Sequence, residues 1–273
     1  MPERVLIMMN QRATFCSAAC VLALVFGVGA GIAVDQTGST AKAIASGSLM
    51  DRLAAASRLQ RSGVTVGDAM IAAAIAGLLE DANDFISSSY LAGTGVADEF
   101  SEAYSDVLDL GLALVPRSNA ALRSRLLGAL VRGAYNPTSP FAHALAVYGD
   151  EVTPHAIALS SSVIEPNRWN SYALLGDLLA RDGEARAGAR LSAPHRAAAK
   201  QALLGGLSER SHPSLYFAVH AVAAGNVREG AASLRAIEQR LAAAPTNRAD
   251  RGAALLAFEV HAAISKVGGS VVK

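Results

Sequence analysis

Apolar and polar positions alternate along most of the chain with the period of an α-helix. Near the C-terminus, Ala231, Leu234, Ile237 and Leu241 recur every three or four residues, and the arginines around them fall on other faces. Such spacing places the apolar side chains on the one side that an amphipathic helix buries. The pattern predicts a helix here, and similar patterns recur through residues 48–266.

Helix start signals divide this region into short helices. At four places a Ser, Thr or Asn stands three residues before an acid, a spacing that satisfies free N–H groups in a first helical turn. These pairs are Ser48–Asp51, Thr65–Asp68, Asn226–Glu229 and Asn247–Asp250. The signals predict about eleven helices with short connections, and no segment shows convincing strand alternation. We therefore expect an all-α domain over residues 48–266, followed by a tail over 267–273.

The first 34 residues differ from the rest because they contain one long uncharged run. Residues 13–34 carry no charged side chain, and Arg4 and Arg12 precede them. A basic start before an apolar run is typical of a secretory signal peptide, and about 20 apolar residues also suffice to cross a bilayer. Gly31 and Ala33 place small residues where a signal peptidase requires them.

Two interpretations of this segment stay open, a cleaved signal peptide and a retained membrane anchor. In both, the basic start remains in the cytoplasm and the rest of the chain is exported, to the periplasm, the medium or the outer side of the inner membrane. Residues 35–47 would form a linker to the helical domain. Because Cys16 and Cys20 both lie in the apolar run, the predicted exported part offers no cysteine for a disulfide, nucleophile or metal site.

Composition narrows the range of functions. Hydrophobic residues make up 52% of the chain and charged residues 17%, which is too apolar for a disordered protein. A net charge of +1 gives no reason to expect nucleic acid as a partner.

Charge is uneven, however, because residues 62–116 contain nine acids and no Lys or Arg. This acidic stretch predicts either a solvated face or a surface for a basic partner or a divalent cation, although it has no calcium-loop spacing.

One segment resembles a known helical repeat. Residues 166–183 are similar to a hairpin of the tetratricopeptide repeat, which has a period of about 34 residues. The matching positions are Pro166 at the close of a preceding unit, bulky Tyr172, the Leu175-Gly176 pair, Leu179 at a usually aromatic site and Gly183 at the turn. The resemblance implies that Gly176 lets the paired helix approach closely, while larger side chains fill the groove.

A second, partial match lies further along, so the resemblance is strongest within residues 166–245. Its positions are Gly225 and Gly230 around a turn between helices, Leu234 and Ile237 in the second helix, and Pro245 at its end. Together the matches imply an α-solenoid of stacked helical hairpins. The prolines at 116, 166 and 245 are 50 and 79 residues apart, which are not multiples of 34, so HEAT-like repeats and an irregular helical bundle remain alternatives.

Catalytic and metal-binding motifs are missing. The six histidines form no H-x-x-x-H or H-E-x-x-H pair. The segment from Ser39 to Lys42 matches the S-x-x-K motif of penicillin-recognising enzymes, but the companion motifs do not follow it. We therefore predict no catalytic residue, no metal and no cofactor.

Export, helical repeats and the missing motifs together favour a protein-binding scaffold of the cell envelope. Trp169 and Tyr172 are the expected binding residues, because aromatic side chains in a repeat groove anchor partners well. We expect a protein partner, no nucleic acid, and membrane contact through residues 13–34 if these are retained. The alternatives are a helical envelope enzyme whose His, Asp and Glu residues come from distant positions, and an accessory subunit of an envelope complex.

Overall fold

The computed structural model describes residues 33–63, 69–133, 140–184, 190–243 and 251–268, with side chains from residue 38 onward. The predicted export segment up to residue 32, Pro245 and the last five residues lie outside these ranges. Residues 35–273 form one compact unit. Within the described ranges, no helix has the length and apolar character needed to cross a membrane.

Every regular element in these ranges is helical, which confirms the predicted all-α class. Three short 3-10 turns, Val115–Arg117, Ala146–Glu151 and Arg228–Gly230, separate some of the α-helices. The α-helices are α1 (Ala33–Ala45), α2 (Leu49–Arg61), α3 (Ala69–Leu91), α4 (Asp98–Leu114), α5 (Ala120–Gly133), α6 (Pro140–Leu145), α7 (Thr153–Leu159), α8 (Glu165–Gly183), α9 (Ala193–Gly206), α10 (His212–Ala224), α11 (Ala231–Ala243) and α12 (Arg251–Gly268).

Local signals explain several helix starts. The Ser48 Oγ accepts a hydrogen bond from the Asp51 N–H at 3.2 Å, as the capping pair predicts. Prolines stand in the first turns of α8, α9 and α10, where their fixed φ suits a helix and no N–H partner is lost. Pro166 therefore stands in the first turn of α8, which begins at Glu165, whereas α7 ends at Leu159.

Helix α1 covers most of the range 35–47, which the sequence suggests as a linker. Its side chains Ala41 and Ile44 are buried. The Arg52 Nε of α2 donates to the Ile44 carbonyl at 2.9 Å. The end of α1 is therefore packed onto the helical unit.

Helices α8, α10 and α12 lie side by side, with α10 between the other two. Trp169 of α8 contacts Ser214 of α10, and further along Gly176 faces Ala221. Because both contacts advance in the same direction, α8 and α10 run parallel. Contacting residues are 45 positions apart in the sequence, and α9 makes the connection between the two helices.

Helices α3 and α5 repeat this arrangement in the N-terminal half. Glu80 of α3 pairs with Arg125 of α5, and further along Asn83 donates to the Ala129 carbonyl. These helices are therefore also parallel, with contacting residues 45 and 46 positions apart. Helix α2 likewise packs against α4, again the next helix but one.

The acidic stretch, residues 62–116, lies between arginines of α2 and α5. Of its eight acids that lie in the described residues, five form ion pairs with them. The pairs are Arg52–Asp81, Arg61–Glu102, Arg61–Asp106, Arg125–Glu80 and Arg132–Asp84. Part of its negative charge is therefore neutralised within the fold.

Candidate functional site

The open side of helices α8, α10 and α12 carries aromatic and titratable side chains together. Trp169 and Asp177 come from α8, Tyr216 and His220 from α10, and Glu259 from α12; all five are half-buried. Within α8 and α10 these residues are eight and four positions apart, so each pair projects from one face of its helix. We call this set the charged-aromatic face.

Aromatic rings form a continuous row along the face. The Trp169 and Phe217 ring centroids lie 5.3 Å apart, and those of Phe217 and Tyr216 lie 5.6 Å apart. Tyr216 then stacks on the His220 imidazole at 6.4 Å. Such spacing is favourable for aromatic pairs. Phe217 itself is buried, so the rings of the row that reach the surface are those of Trp169 and Tyr216.

Two histidine–carboxylate pairs extend the face across four elements. The His220 Nδ1 lies 2.9 Å from the Glu259 Oε1, and the His143 Nδ1 of α6 lies 3.5 Å from the Asp177 Oδ2. Burial raises the pKa of the Asp177 carboxyl, against the attraction of both histidines. The hydrogen bond with Glu259 raises the pKa of His220. Protonation of His220 therefore changes the charge of this face.

Glu165 fixes the tryptophan end of the face. Its carboxylate accepts hydrogen bonds from the hydroxyls of Tyr90, Ser211 and Ser214, and Ser214 accepts one from the Trp169 indole N–H at 2.9 Å. A negative charge at the start of α10 is also favoured by the helix dipole. Burial raises the pKa of the Tyr90 hydroxyl to about 12. Trp169 is thus held in one orientation by a hydrogen-bond network.

Tyr172, the other expected binding residue, points to a different surface. It borders a cleft of about 650 Å³ between the ends of α7 and α9 and the starts of α8 and α10. Its hydroxyl donates to the Glu209 carboxylate at 2.9 Å, and Arg168 binds the same carboxylate through its Nε at 2.6 Å. The Tyr172 ring itself is only 2% exposed. Tyr172 therefore supports the cleft from below and offers a partner little of its ring.

The repeat-like glycines occupy closely packed positions. A Cβ added to Gly176 would lie 2.8 Å from the Ala221 Cα, and one added to Gly225 would lie 2.9 Å from the Leu179 Cβ. Both contacts join α8 to α10. The close neighbour of Gly176 is thus the next helix but one, whereas the resemblance implies the paired helix α9. Leu175, beside Gly176, is fully buried.

The remaining repeat-like positions mark helix ends. Gly183 ends α8 with open space around its Cα, and Gly230 lies at the start of α11 with its Cβ position 3.1 Å from Val222. Asn226, in the turn between α10 and α11, takes a positive φ of 48°. This segment is therefore a turn between helices, where the resemblance places one.

Other histidines make contacts between helices outside the face. The His155 Nε2 lies 3.1 Å from the Ser124 Oγ, and burial lowers the pKa of His155. The His195 Nδ1 lies 2.8 Å from the Asp150 Oδ1. Neither pair lines the cleft beside Tyr172. Across the described ranges, no three His, Cys, Asp or Glu side chains are arranged to hold a metal ion.

Sequence reasoning identified Trp169 but missed the other four members of the face. Tyr216 and His220 carry a partial signal, because they are four residues apart on a helix whose other positions are mostly apolar. Glu259 carries none, since only the packing of α12 against α10 brings it to His220. No protein-family model matches this chain, and no curated protein shows significant similarity to it.

Proposed function

We propose that this protein is a helical-repeat scaffold that binds a segment of another protein on its charged-aromatic face. The observation that carries the proposal is the row of half-buried aromatic and titratable side chains contributed by three neighbouring helices. Aromatic side chains that are partly exposed and rigidly held are the usual anchors of protein interfaces. Trp169 meets this description, because its indole N–H is bonded and its ring rests on Phe217.

The packing of alternate helices supports a solenoid. In solenoids each unit contacts its neighbours, and one layer of helices presents a continuous binding surface. Here α8 and α10, and separately α3 and α5, are parallel neighbours with contacts 45 or 46 residues apart. That interval lies within the range of about 40–47 residues of HEAT-like repeats and exceeds the 34 of tetratricopeptide repeats. The proposed unit therefore has tetratricopeptide-like glycine positions with a longer, HEAT-like period.

Export is the second part of the proposal. The uncharged run over residues 13–34 after two arginines supports a signal peptide or an anchor. Fusing residues 1–50 to an enzyme that is active only outside the cytoplasm should give activity. Sequencing the N-terminus of the mature protein then separates the two versions, because a start near Val34 means cleavage and an intact Met1 in membranes means an anchor. Full-length protein in the cytoplasm would contradict both.

Photo-crosslinking in the producing cells tests the binding surface. A photoreactive amino acid in place of Tyr216 should give a discrete crosslinked product whose second protein can be identified by mass spectrometry. The same amino acid at Gln239, which is exposed on α11, a helix that contributes no residue to the face, is the matched control and should not give this product. Identical products from both positions, or none from Tyr216, would contradict the proposal.

With the partner identified, affinity measurements sharpen the test. Trp169→Ala should weaken binding by about tenfold or more, as expected for an anchoring aromatic side chain. Gln239→Ala should leave the dissociation constant unchanged. Equal affinities for the Trp169→Ala variant and the unmodified protein would place the binding surface elsewhere on the molecule.

A further inference from the structure

Helix α12 is joined to α10 by a pair that can change its charge. The His220 Nδ1 and the Glu259 Oε1 are 2.9 Å apart, and the side chains are 41% and 16% exposed. A carboxylate as buried as that of Glu259 requires a partner, because loss of solvent is costly for a charge. When His220 is protonated, it supplies both a hydrogen bond and a positive charge.

Charged groups on both neighbouring helices interact with the protonated form of His220. From α8, Asp177 attracts the imidazolium, and from α12 Lys266 repels it more weakly than Glu259 attracts it. On α10 itself Tyr216 stacks on the ring. A protonated His220 thus stands between two carboxylates from the two helices that flank α10. When it is neutral, the same carboxylates flank an uncharged ring.

We propose that protonation of His220 tightens the docking of α12 on α10, and that deprotonation loosens it. The docking statement depends on the packing of the three helices and on the charge of His220, and on no partner. Its consequence, a charged-aromatic face whose affinity for a partner changes with pH, rests on the proposed function. The two can be tested apart, because docking of α12 is measurable without any partner.

The sign of the effect follows from the position of His220. Its pKa is raised above the ordinary 6.5 by the bond with Glu259. A group with a raised pKa in the folded chain stabilises the fold fully below its unfolded pKa, and this stabilisation is lost as pH rises through the folded value. Docking of α12 therefore weakens as pH rises above about 6.5.

Hydrogen exchange of the full chain at pH 6 and pH 8, corrected for intrinsic rates, tests the proposal. Protection of α12 amides relative to α8 amides should fall at the higher pH. The fall should be up to about tenfold for each unit by which the pKa of His220 in the folded chain exceeds its pKa in the unfolded chain. His220→Gln should remove this pH response. His261→Gln is the matched control, because its pair with Glu238 joins α12 to α11 with the imidazole 77% exposed, and it should respond like the unmodified protein.

Three outcomes would overturn the proposal. These are a ratio of α12 to α8 protection that is the same at both pH values, a pH response that survives in the His220→Gln variant, and an equal loss of response in His261→Gln. If His220→Gln does not fold, NMR titration of the unmodified protein decides, because a His220 pKa at or below 6.5 contradicts the mechanism. Failure of the crosslinking test leaves each of these results unchanged, so the two hypotheses can fail separately.

Discussion

In both halves of the molecule, α2–α5 and α8–α12, a helix packs against the next helix but one. Different side chains join these helices in the two halves. In the N-terminal half, arginine–carboxylate pairs such as Arg125–Glu80 connect neighbouring helices, and arginine stays charged at every physiological pH. In the C-terminal half the corresponding contact between α10 and α12 is His220–Glu259, and histidine changes charge in that range. The same arrangement of helices is thus held by ion pairs that stay charged in the N-terminal half, and by a pair whose charge depends on pH in the C-terminal half.

The two halves also differ in how closely their helices approach. A Cβ at Gly176, in the C-terminal half, would meet the backbone of Ala221 at 2.8 Å. A Cβ at Gly111 of α4, in the N-terminal half, would meet the ends of two leucine side chains, Leu79 at 2.9 Å and Leu130 at 3.1 Å. Leucine ends can move to another position and a helix backbone cannot. The C-terminal helices should therefore tolerate much less change at their contacts.

Removing one buried tyrosine from each half should have the largest effect on stability. Tyr172 and Tyr104 are 2% and 4% exposed, so Tyr172→Ala and Tyr104→Ala should each lower the free energy of unfolding by roughly 3–5 kcal/mol, by analogy with other aromatic truncations. Urea unfolding followed by circular dichroism measures both values. If the halves form one cooperative unit, each variant shifts a single transition; a near-neutral Tyr172→Ala would contradict the packed contact among α8, α9 and α10.

The matched Phe variants separate the ring from the hydroxyl. Tyr104→Phe removes the hydrogen bond to the buried Asn83 side chain, and an unsatisfied buried acceptor costs about 1–3 kcal/mol. Tyr172→Phe should cost less, because Glu209 keeps its ion pair with Arg168. If Tyr172→Phe costs more than Tyr104→Phe, the hydrogen bond from Tyr172 to Glu209 stabilises the fold more than the bond from Tyr104 to Asn83.

Glycine substitutions give the next largest effect and test the difference in helix approach directly. Gly176→Ala should lower the free energy of unfolding by about 1–3 kcal/mol, because the new methyl group meets a backbone. Gly111→Ala should cost clearly less, since leucine side chains can adjust. Gly183→Ala is the control, because nothing lies within 4 Å of its Cβ position, and better helix propensity should raise stability by up to about 1 kcal/mol.

Urea unfolding of the three glycine variants decides between the two kinds of contact. A stabilising Gly176→Ala would mean that α8 and α10 are not in close contact, and it would remove the main support for stacked repeat units. Equal costs at Gly176 and Gly111 would remove the contrast between the halves.

The helical class could be predicted from the sequence because its signals are local. The Ser48–Asp51 pair and the apolar stripe from Ala231 to Leu241 each specify a helix through neighbours in the sequence. The sequence predicts that Pro166 marks a boundary between units, and the structure places it in the first turn of α8. A proline marks a helix boundary, but only the surrounding structure decides whether it stands at the end of one helix or in the first turn of the next.

The candidate site could be predicted only in part because its contacts are distant in the sequence. His220 and Glu259 are 39 residues apart, and their pairing depends on which helices lie side by side. The tetratricopeptide resemblance implies a period of about 34 residues, whereas α8 and α10 meet at an offset of 45. Tyr172 was expected to face a partner, but the approach of Gly206 and Ala218 encloses its ring.

The smallest effect should come from Asp177→Asn. Burial raises the pKa of Asp177, so its ionised form destabilises the folded chain, fully above the folded pKa and less as pH falls towards the ordinary 3.8. Replacing it by Asn should therefore raise the free energy of unfolding at pH 8, by less than about 1 kcal/mol. At pH 6 the gain should shrink, because protonated His220 then attracts the carboxylate that the variant lacks.

Asp109 of α4 provides the comparison: desolvation and the neighbouring Asp106 raise its pKa, and its side chain is more exposed. Asp109→Asn should gain only a few tenths of a kcal/mol, equally at pH 6 and pH 8. Urea unfolding of both variants at the two pH values measures the contrast. Identical pH responses would mean that the charge of His220 does not affect Asp177.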